Sequence, residues 1–546
     1  MARSSPPKVD SYFSECLLFL HKYEWIYDFQ LTHFFTDRVW ENIPSEWIGI
    51  LTGLTIEELN QMPFGYCKKS WPDSFKNFLW TATSLTPSRC LSGDAHPISI
   101  DDKMSCGMSP KKSHEVCHVA AVINGVCKQS HCKAVVDVGS GLGYLSLVLS
   151  QQLGYRVLGI ECQEARCRGA EARANKFYQE KSSDFESRPF SLKDDDRARN
   201  EFRKILRRHF GESGHQAELR GASLSHSQHE LSAGSSCQLT GAVCNITNNR
   251  TASSMKIVSE KDDIPGYPET GGINCSGSPQ VSTQLQNTNW SVKNNEISDI
   301  SLKNISAGDP ITERICLIGL HCCGDLTPTM LKLFTQSIEL KALIVLGCCY
   351  HRMTTTTAED GMFYQFPMSV SLKQSLQKAC GEGVSWKITT FGLRLAAQET
   401  RSRWKSQDTT AHNYHQNNVI FRGILDLVLQ REKIKMLKSR RKLISKEQCK
   451  DFETYIDAVL ASVVLEDGVD KTSLKEKMLA AYSDHKDVLG LVEPFTCLQV
   501  VLQGVLESLI LKDRQEYLLE HGLEAQLLPI LDDNISPRNV AIVAYK

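Results

Sequence analysis

Apolar positions change their spacing several times along the chain, and each change marks a different kind of structure. Between about residues 10 and 95, Phe13, Leu17, Leu18, Leu20, Trp25, Ile26 and Phe29 supply a helical apolar face. Ser45 is placed to cap a helix carrying Trp47, Ile48 and Leu51, and Thr55 with Glu58 forms a capping box. Met62-Pro63-Phe64-Gly65 breaks the pattern, and Trp71-Pro72-Asp73-Ser74 opens a further helix. Residues 1–100 therefore read as a helical module without chemistry of its own, packing on a neighbour or shaping a groove.

Ser109 as N-cap and Pro110 at the first helical position predict a helix through about Gly125. A continuous apolar run, Ala134 to Val138, then ends beside an acid and three alternating glycines. Leu145, Val148, Leu149 and Leu153 follow at helical spacing, Gly154 is placed as a C-cap, and Arg156 to Glu161 is a second buried run. The unit predicted is strand, tight turn, helix, strand. From 181 to 310 serine, asparagine, threonine and glycine dominate and periodicity is lost, so this insertion is expected to be disordered. Gln238 to Cys244 is the one apolar piece in it that could be a third strand. Buried runs return at Ile315–Leu320 and Ala342–Leu346, with a helix between them starting at Thr327-Pro328. Residues 101–180 and 311–425 thus form one α/β domain interrupted by the insertion. Residues 426–546 read as helical, with a long amphipathic helix from Val501 to Glu520 and a last strand at 538–545 that returns to the sheet.

The chemistry is concentrated at the strand tips. In Asp137-Val138-Gly139-Ser140-Gly141-Leu142-Gly143, glycines permit unusual backbone angles and let a ligand lie close to the turn. A dinucleotide turn would place its third glycine at Tyr144, and Asp137 would repel a pyrophosphate. An acid there suits a cationic ligand, and S-adenosylmethionine carries an ammonium and a sulfonium. Glu161, at the tip of the second strand, is placed to accept from both ribose hydroxyls. A nucleotide, or a turn without a ligand, is the alternative. Lys112, with Lys111 and His114 beside it, starts the helix that precedes the turn and is expected to point at the cofactor; a solvated helix start is the other reading.

His321-Cys322-Cys323-Gly324-Asp325 and Gly347-Cys348-Cys349-Tyr350-His351 follow the two later strands, and ligands of open parallel sheets bind at such ends. His321 and His351 are the expected catalytic groups, since imidazole can take a proton from a nitrogen or oxygen nucleophile. Asp325 is expected to orient a histidine or the substrate. Neighbouring cysteines point in different directions along an extended chain, and no C-x-x-C pair has a partner pair, so no metal site is expected. The thiols then either pack as small hydrophobes or face the site.

Composition narrows the setting. The 546 residues carry a formal net charge of -1, so contact with nucleic acid must come from a local patch. One candidate is the basic run Arg431, Lys433, Lys435, Lys438, Arg440, Arg441, Lys442 and Lys446, otherwise read as a solvated helix face. The 20 cysteines and the absence of an export signal favour a reducing, intracellular setting, cytoplasmic or nuclear. No apolar run reaches membrane-spanning length, so the protein is expected to be soluble and without a membrane partner, and the N-x-S/T triplets at Asn245, Asn249, Asn274, Asn289 and Asn304 are read as chance.

Several motifs in combination resemble the methyltransferase-like protein 25 family: G-M-S-P-K-K-x-H-E at Gly107 to Glu115, D-V-G-S-G-L-G-Y-L-S at Asp137 to Ser146, G-L-H-C-C-G-D-L at Gly319 to Leu326, G-C-C-Y-H at Gly347 to His351, and the closing S-P-R-N-V-A-I-V-A. The H-x-C-G-D and C-C-x-H tips are also similar to those of a tRNA 2'-O-methyltransferase family. The resemblance implies a class I methyltransferase (Rossmann-like) doubly wound sheet with helical N-terminal and C-terminal additions, binding S-adenosylmethionine through Asp137, Gly139, Gly141, Gly143 and Glu161. One family member is named for a ribosomal RNA adenine dimethylase domain, which implies an RNA substrate. The N-P-P-Y-type tetrad of amino-directed adenine methyltransferases is absent where His321 to Asp325 stands. The expected activity is methyl transfer to a macromolecule, RNA or protein; a second reading keeps the fold as a binding or scaffold module without turnover.

Overall fold

The computed structural model describes residues 9–91, 96–177, 184–211, 313–356, 362–398, 400–438 and 444–546. Five parallel strands form most of the central sheet: β1 (Ala134–Val138), β2 (Arg156–Glu161), β3 (Phe185–Pro189), β4 (Ile315–Cys322) and β5 (Leu340–Gly347). A separate ribbon pairs β6 (Met436–Lys438) with β7 (Val464–Leu465). The chain then returns through β8 (Glu524–Pro529) and β9 (Val540–Tyr545). β9 inserts antiparallel between β5 and β8, giving the order β3-β2-β1-β4-β5-β9-β8.

Every residue of β1 is buried because both sheet faces are covered. On one face Val136, Leu158, Leu317 and Leu343 pack beneath the helices Asp196–Phe210 and Leu326–Gln336. On the other, Val135, Val157, Ile318 and Ile344 pack beneath Pro110–Gln129 and the helix that follows the glycine turn. The expected doubly wound α/β sheet is therefore present, and the change of crossover direction beside β1 opens its tip to a ligand.

The reading of a strand at 238–244 lies outside the described residues; the third strand of the described sheet is β3, Phe185–Pro189. Order continues through Asp196–Phe210, so the segment expected to be disordered from 181 holds a strand and a helix in its first part. β3 escapes a hydrophobicity reading because it is an edge strand: Phe-Glu-Ser-Arg-Pro pairs only with β2 and buries little of itself. The helix after it buries only one narrow face, with Phe202, Leu206 and Phe210, under an otherwise charged surface, and is capped by Asp195.

The N-terminal helices do not form a module with a core of their own. Phe13, Leu17, Leu20, Trp47, Phe75 and Phe78 share one core with Trp404, Ile420, Phe495, Leu498 and Leu502 from the C-terminal half. The capping box of Thr55 and Glu58 forms as expected, whereas Ser45 stands inside its helix and Pro44 takes the N-cap position. At the centre runs Val492–Glu520, which is buried on nearly all sides rather than amphipathic. It is long and apolar enough to cross a membrane, contrary to the sequence reading, but 83% of the qualifying stretch is buried inside this protein. Its charges are committed internally. Asp513 accepts from the backbone N–H groups of Met368 and Ser369, and Glu507 pairs with Arg89 and with Arg538, 2.8 Å away. The basic run is not one helix face: Arg431 ends the helix Thr409–Arg431, Lys438 lies in β6, and 439–443 fall outside the described residues.

Candidate active site

The turn after β1 is held open by its own backbone. Gly139, Gly141 and Gly143 have φ of 79°, 59° and 73°, and the N–H groups of Gly139 and Ser140 both donate to the carbonyl of Ile160 in β2. The three glycines serve two purposes. A side-chain carbon on Gly139 or Gly141 would meet nothing within 4 Å, so both border open space. On Gly143 it would lie 3.0 Å from Ala170 Cβ and 3.4 Å from Phe185, so this glycine permits close packing of the Glu164–Phe177 helix and β3.

Two carboxylates flank that space. Asp137 is 2% exposed, and burial pushes its carboxyl up to about 6, with Glu161 adding to the rise. A hydrogen bond of 2.6 Å from Ser146 Oγ and the charge of Lys112 act the other way. Glu161, 3% exposed, accepts from the Gly141 N–H at 3.0 Å through one oxygen and from the Gln163 N–H at 3.0 Å through the other. Ser140 Oγ is buried without a hydrogen-bond partner among the described residues. A cationic ligand with ribose hydroxyls fits this set: a buried carboxylate that lacks a full counter-charge, a second carboxylate at the neighbouring tip, an orphaned hydroxyl and open space above two glycines. Lys112 Nζ lies 3.8 Å from Glu115 Oε2.

The acceptor side is built from the tips of β4 and β5. The register of β4 against β5 shifts between Leu320 and Cys322, and His321 between them has φ +63°. Such an irregularity re-aims a side chain. His321 Nε2 lies 2.9 Å from Glu115 Oε2. Burial alone would raise the Glu115 carboxyl, but the hydrogen bond and charge of His321, with Lys112 and Ser536 Oγ, hold it at about 2. Glu115 is therefore ionised, His321 Nε2–H donates to it, and Nδ1 is left as the nitrogen that can accept a proton.

Sequence reasoning assigned no role to Glu115, although it closes the quoted G-M-S-P-K-K-x-H-E stretch. The missing signal is its distance: 206 positions separate it from His321. His114, beside it, accepts from the Asp532 N–H at 3.1 Å and packs tilted against His118, so it braces the loop between β8 and β9.

Asp325 does not orient a histidine. Its carboxylate accepts from the Thr354 N–H at 3.0 Å and from Thr354 Oγ1 at 2.5 Å, fastening the loop after β5 to the tip of β4. Gly324 makes that approach possible, since a side-chain carbon there would meet the Arg352 carbonyl at 2.5 Å. His351 sits in the short turn Tyr350–Arg352 with Nδ1 buried and unpartnered among the described residues. Burial lowers its basicity, and Arg394 and Arg352 add to this against the charge of Cys349. Asp194, the acid that follows β3, is engaged by Arg199, Lys332 and Gln365.

A parallel sheet in this order, closed by an antiparallel β9 and carrying an acid-and-glycine turn at β1 with a second acid at β2, is the fold of a class I methyltransferase. Residues 111–356 match the family model described as "Methyltransferase domain". The chain is 26% identical over 482 residues to "Probable methyltransferase-like protein 25" of Homo sapiens, covering 80% of this chain and 75% of that protein. The Mus musculus protein of the same name gives 26% over 475 residues, with the same coverage. These similarities bear out the family resemblance and the methyltransferase fold read from the motifs.

Proposed function

We propose that this protein binds S-adenosylmethionine at the β1 turn and transfers its methyl group to an acceptor in a macromolecule, with RNA the favoured substrate. The observation that carries the proposal is the pairing of His321 with buried Glu115 at a strand tip close to the Asp137–Gly143 turn. When bound, the donor supplies an electrophilic methyl group on sulfur. Gly139 and Gly141 would leave room for it, Glu161 would accept from its ribose hydroxyls, and Asp137 would balance its positive charge. Glu115, steadied by Ser536, fixes the His321 ring so that Nδ1 can take the acceptor's proton as the nucleophile attacks.

A macromolecular substrate is supported by the segment beyond β5. A short antiparallel bridge pairs Thr355 with Phe363, and Met362 and Tyr364 stand out from it at 50% and 65% exposure. An exposed ring beside a methyl-transfer site suits stacking on an unpaired base. Incubating the purified chain with tritiated S-adenosylmethionine and cell extract tests the proposal. Label removed by nuclease supports RNA, label removed by protease replaces RNA with protein, and donor binding without label would leave a scaffold. His321→Ala should bind the donor normally and lose transfer; retained transfer would displace His321 from the chemistry.

A further inference from the structure

Three thiols that the sequence keeps apart meet where β4 and β5 end. Cys323 Sγ lies 3.0 Å from Cys348 Sγ, Cys348 Sγ lies 3.6 Å from Cys349 Sγ, and all three sulfurs fall within 4.8 Å of one another. Zinc bound at ~2.3 Å by tetrahedral thiolates holds its sulfurs ~3.8 Å apart, a spacing that these distances bracket. All three are half-buried, shielded from bulk water yet accessible to an ion.

Adjacent cysteines should diverge along an extended chain, and the backbone explains why these two converge. Cys349 has φ -97° and ψ 72°, and the Tyr350 N–H donates to the Cys348 carbonyl at 3.2 Å. This is a three-residue turn centred on Cys349, which bends the chain so that both thiols face the β4 tip. Cys323 is brought to them by two main-chain bonds between the tips, from the Cys348 N–H to the Cys322 carbonyl and from the Gly324 N–H to the Cys349 carbonyl. Cys322 takes the opposite direction and packs fully buried against Met330 Sδ at 3.5 Å. The remaining three thiols have mainly one another as polar neighbours. That arrangement gives little as apolar packing, and it is the donor set preferred by a thiophilic ion.

We propose that Cys323, Cys348 and Cys349 bind one zinc ion as thiolates, with water in the fourth position. The ion ties the β4 tip to the β5 tip and stiffens the wall behind the acceptor site. The spacing of the cysteines along the chain does not disclose the turn at Cys349.

Metal content tests this independently of any methyl transfer. The full chain, purified under reducing conditions without a metal-binding tag, should contain about one zinc per chain by plasma mass spectrometry. Cys323→Ser, Cys348→Ser and Cys349→Ser should each bring the content toward zero, whereas exposed Cys380→Ser keeps it at one. Should the serine variants fail to fold, cobalt exchanged into the wild-type chain provides a second readout through thiolate-to-cobalt charge-transfer absorption. Wild-type chain that takes up neither zinc nor cobalt, zinc retained by the Cys323→Ser/Cys348→Ser double variant, or a Cys323–Cys348 disulfide in freshly reduced protein would each overturn the site.

Discussion

Replacing Asp137 by asparagine should move stability and ligand affinity in opposite directions. Burial raises the folded carboxyl from its ordinary 3.8 to about 6, so keeping it ionised at pH 7 costs about 3 kcal/mol of folding free energy. Asparagine keeps the shape and can still accept from Ser146 Oγ, but its amide nitrogen needs a partner. The net gain without ligand is therefore about 1–3 kcal/mol. The sign with pH follows from the raised value. The wild-type cost is fully present above pH 6 and vanishes as pH falls through 6 toward 3.8, so the stability gap between variant and wild type closes from pH 7 to pH 4. Other titrating groups are common to both proteins and cancel in the difference. S-adenosylmethionine should bind the variant about 10- to 100-fold more weakly, the loss of one charge-assisted contact worth about 1.5–3 kcal/mol. Urea unfolding at pH 7, 5.5 and 4, with calorimetric titration of the ligand, measures both effects. A variant that is less stable at pH 7 and binds the donor as tightly as wild type would refute the reasoning.

Gly141→Val should cost about 1–2 kcal/mol from its left-handed backbone alone and fill the open space above the turn, so thermal melts should change modestly while donor binding disappears. Glu115→Gln should lose about 3 kcal/mol at pH 7, since the folded carboxyl at about 2 stabilises the chain fully above its ordinary 4.5. That advantage of the wild type should narrow as pH falls below 4.5 toward 2, as followed by denaturant midpoints, and methyl transfer should fall as the His321 ring loses its anchor. Glu507→Ala leaves Arg89 and Arg538 buried without their counter-charge, so a loss of about 3–5 kcal/mol is expected in urea unfolding.

The sequence by itself determined the parts whose cause is local. Asp137 and the alternating glycines specify a turn through backbone angles that other residues adopt only with strain, and the buried runs on either side can pair only within a covered sheet. Ser109 and Pro110 fix a helix start in the same way, because the cap and its N–H partner at Lys112 lie within one turn. Tertiary structure decided what depends on residues far apart. Glu115 became the partner of His321, Asp325 was taken by Thr354, and three cysteines that read as divergent converged through one turn. β3 was hidden for the same reason: an edge strand that buries little has no hydrophobic period to read, and only pairing with β2 makes it a strand. Likewise the N-terminal helices and Val492–Glu520 each show an apolar surface in sequence, but only packing shows that they cover one another.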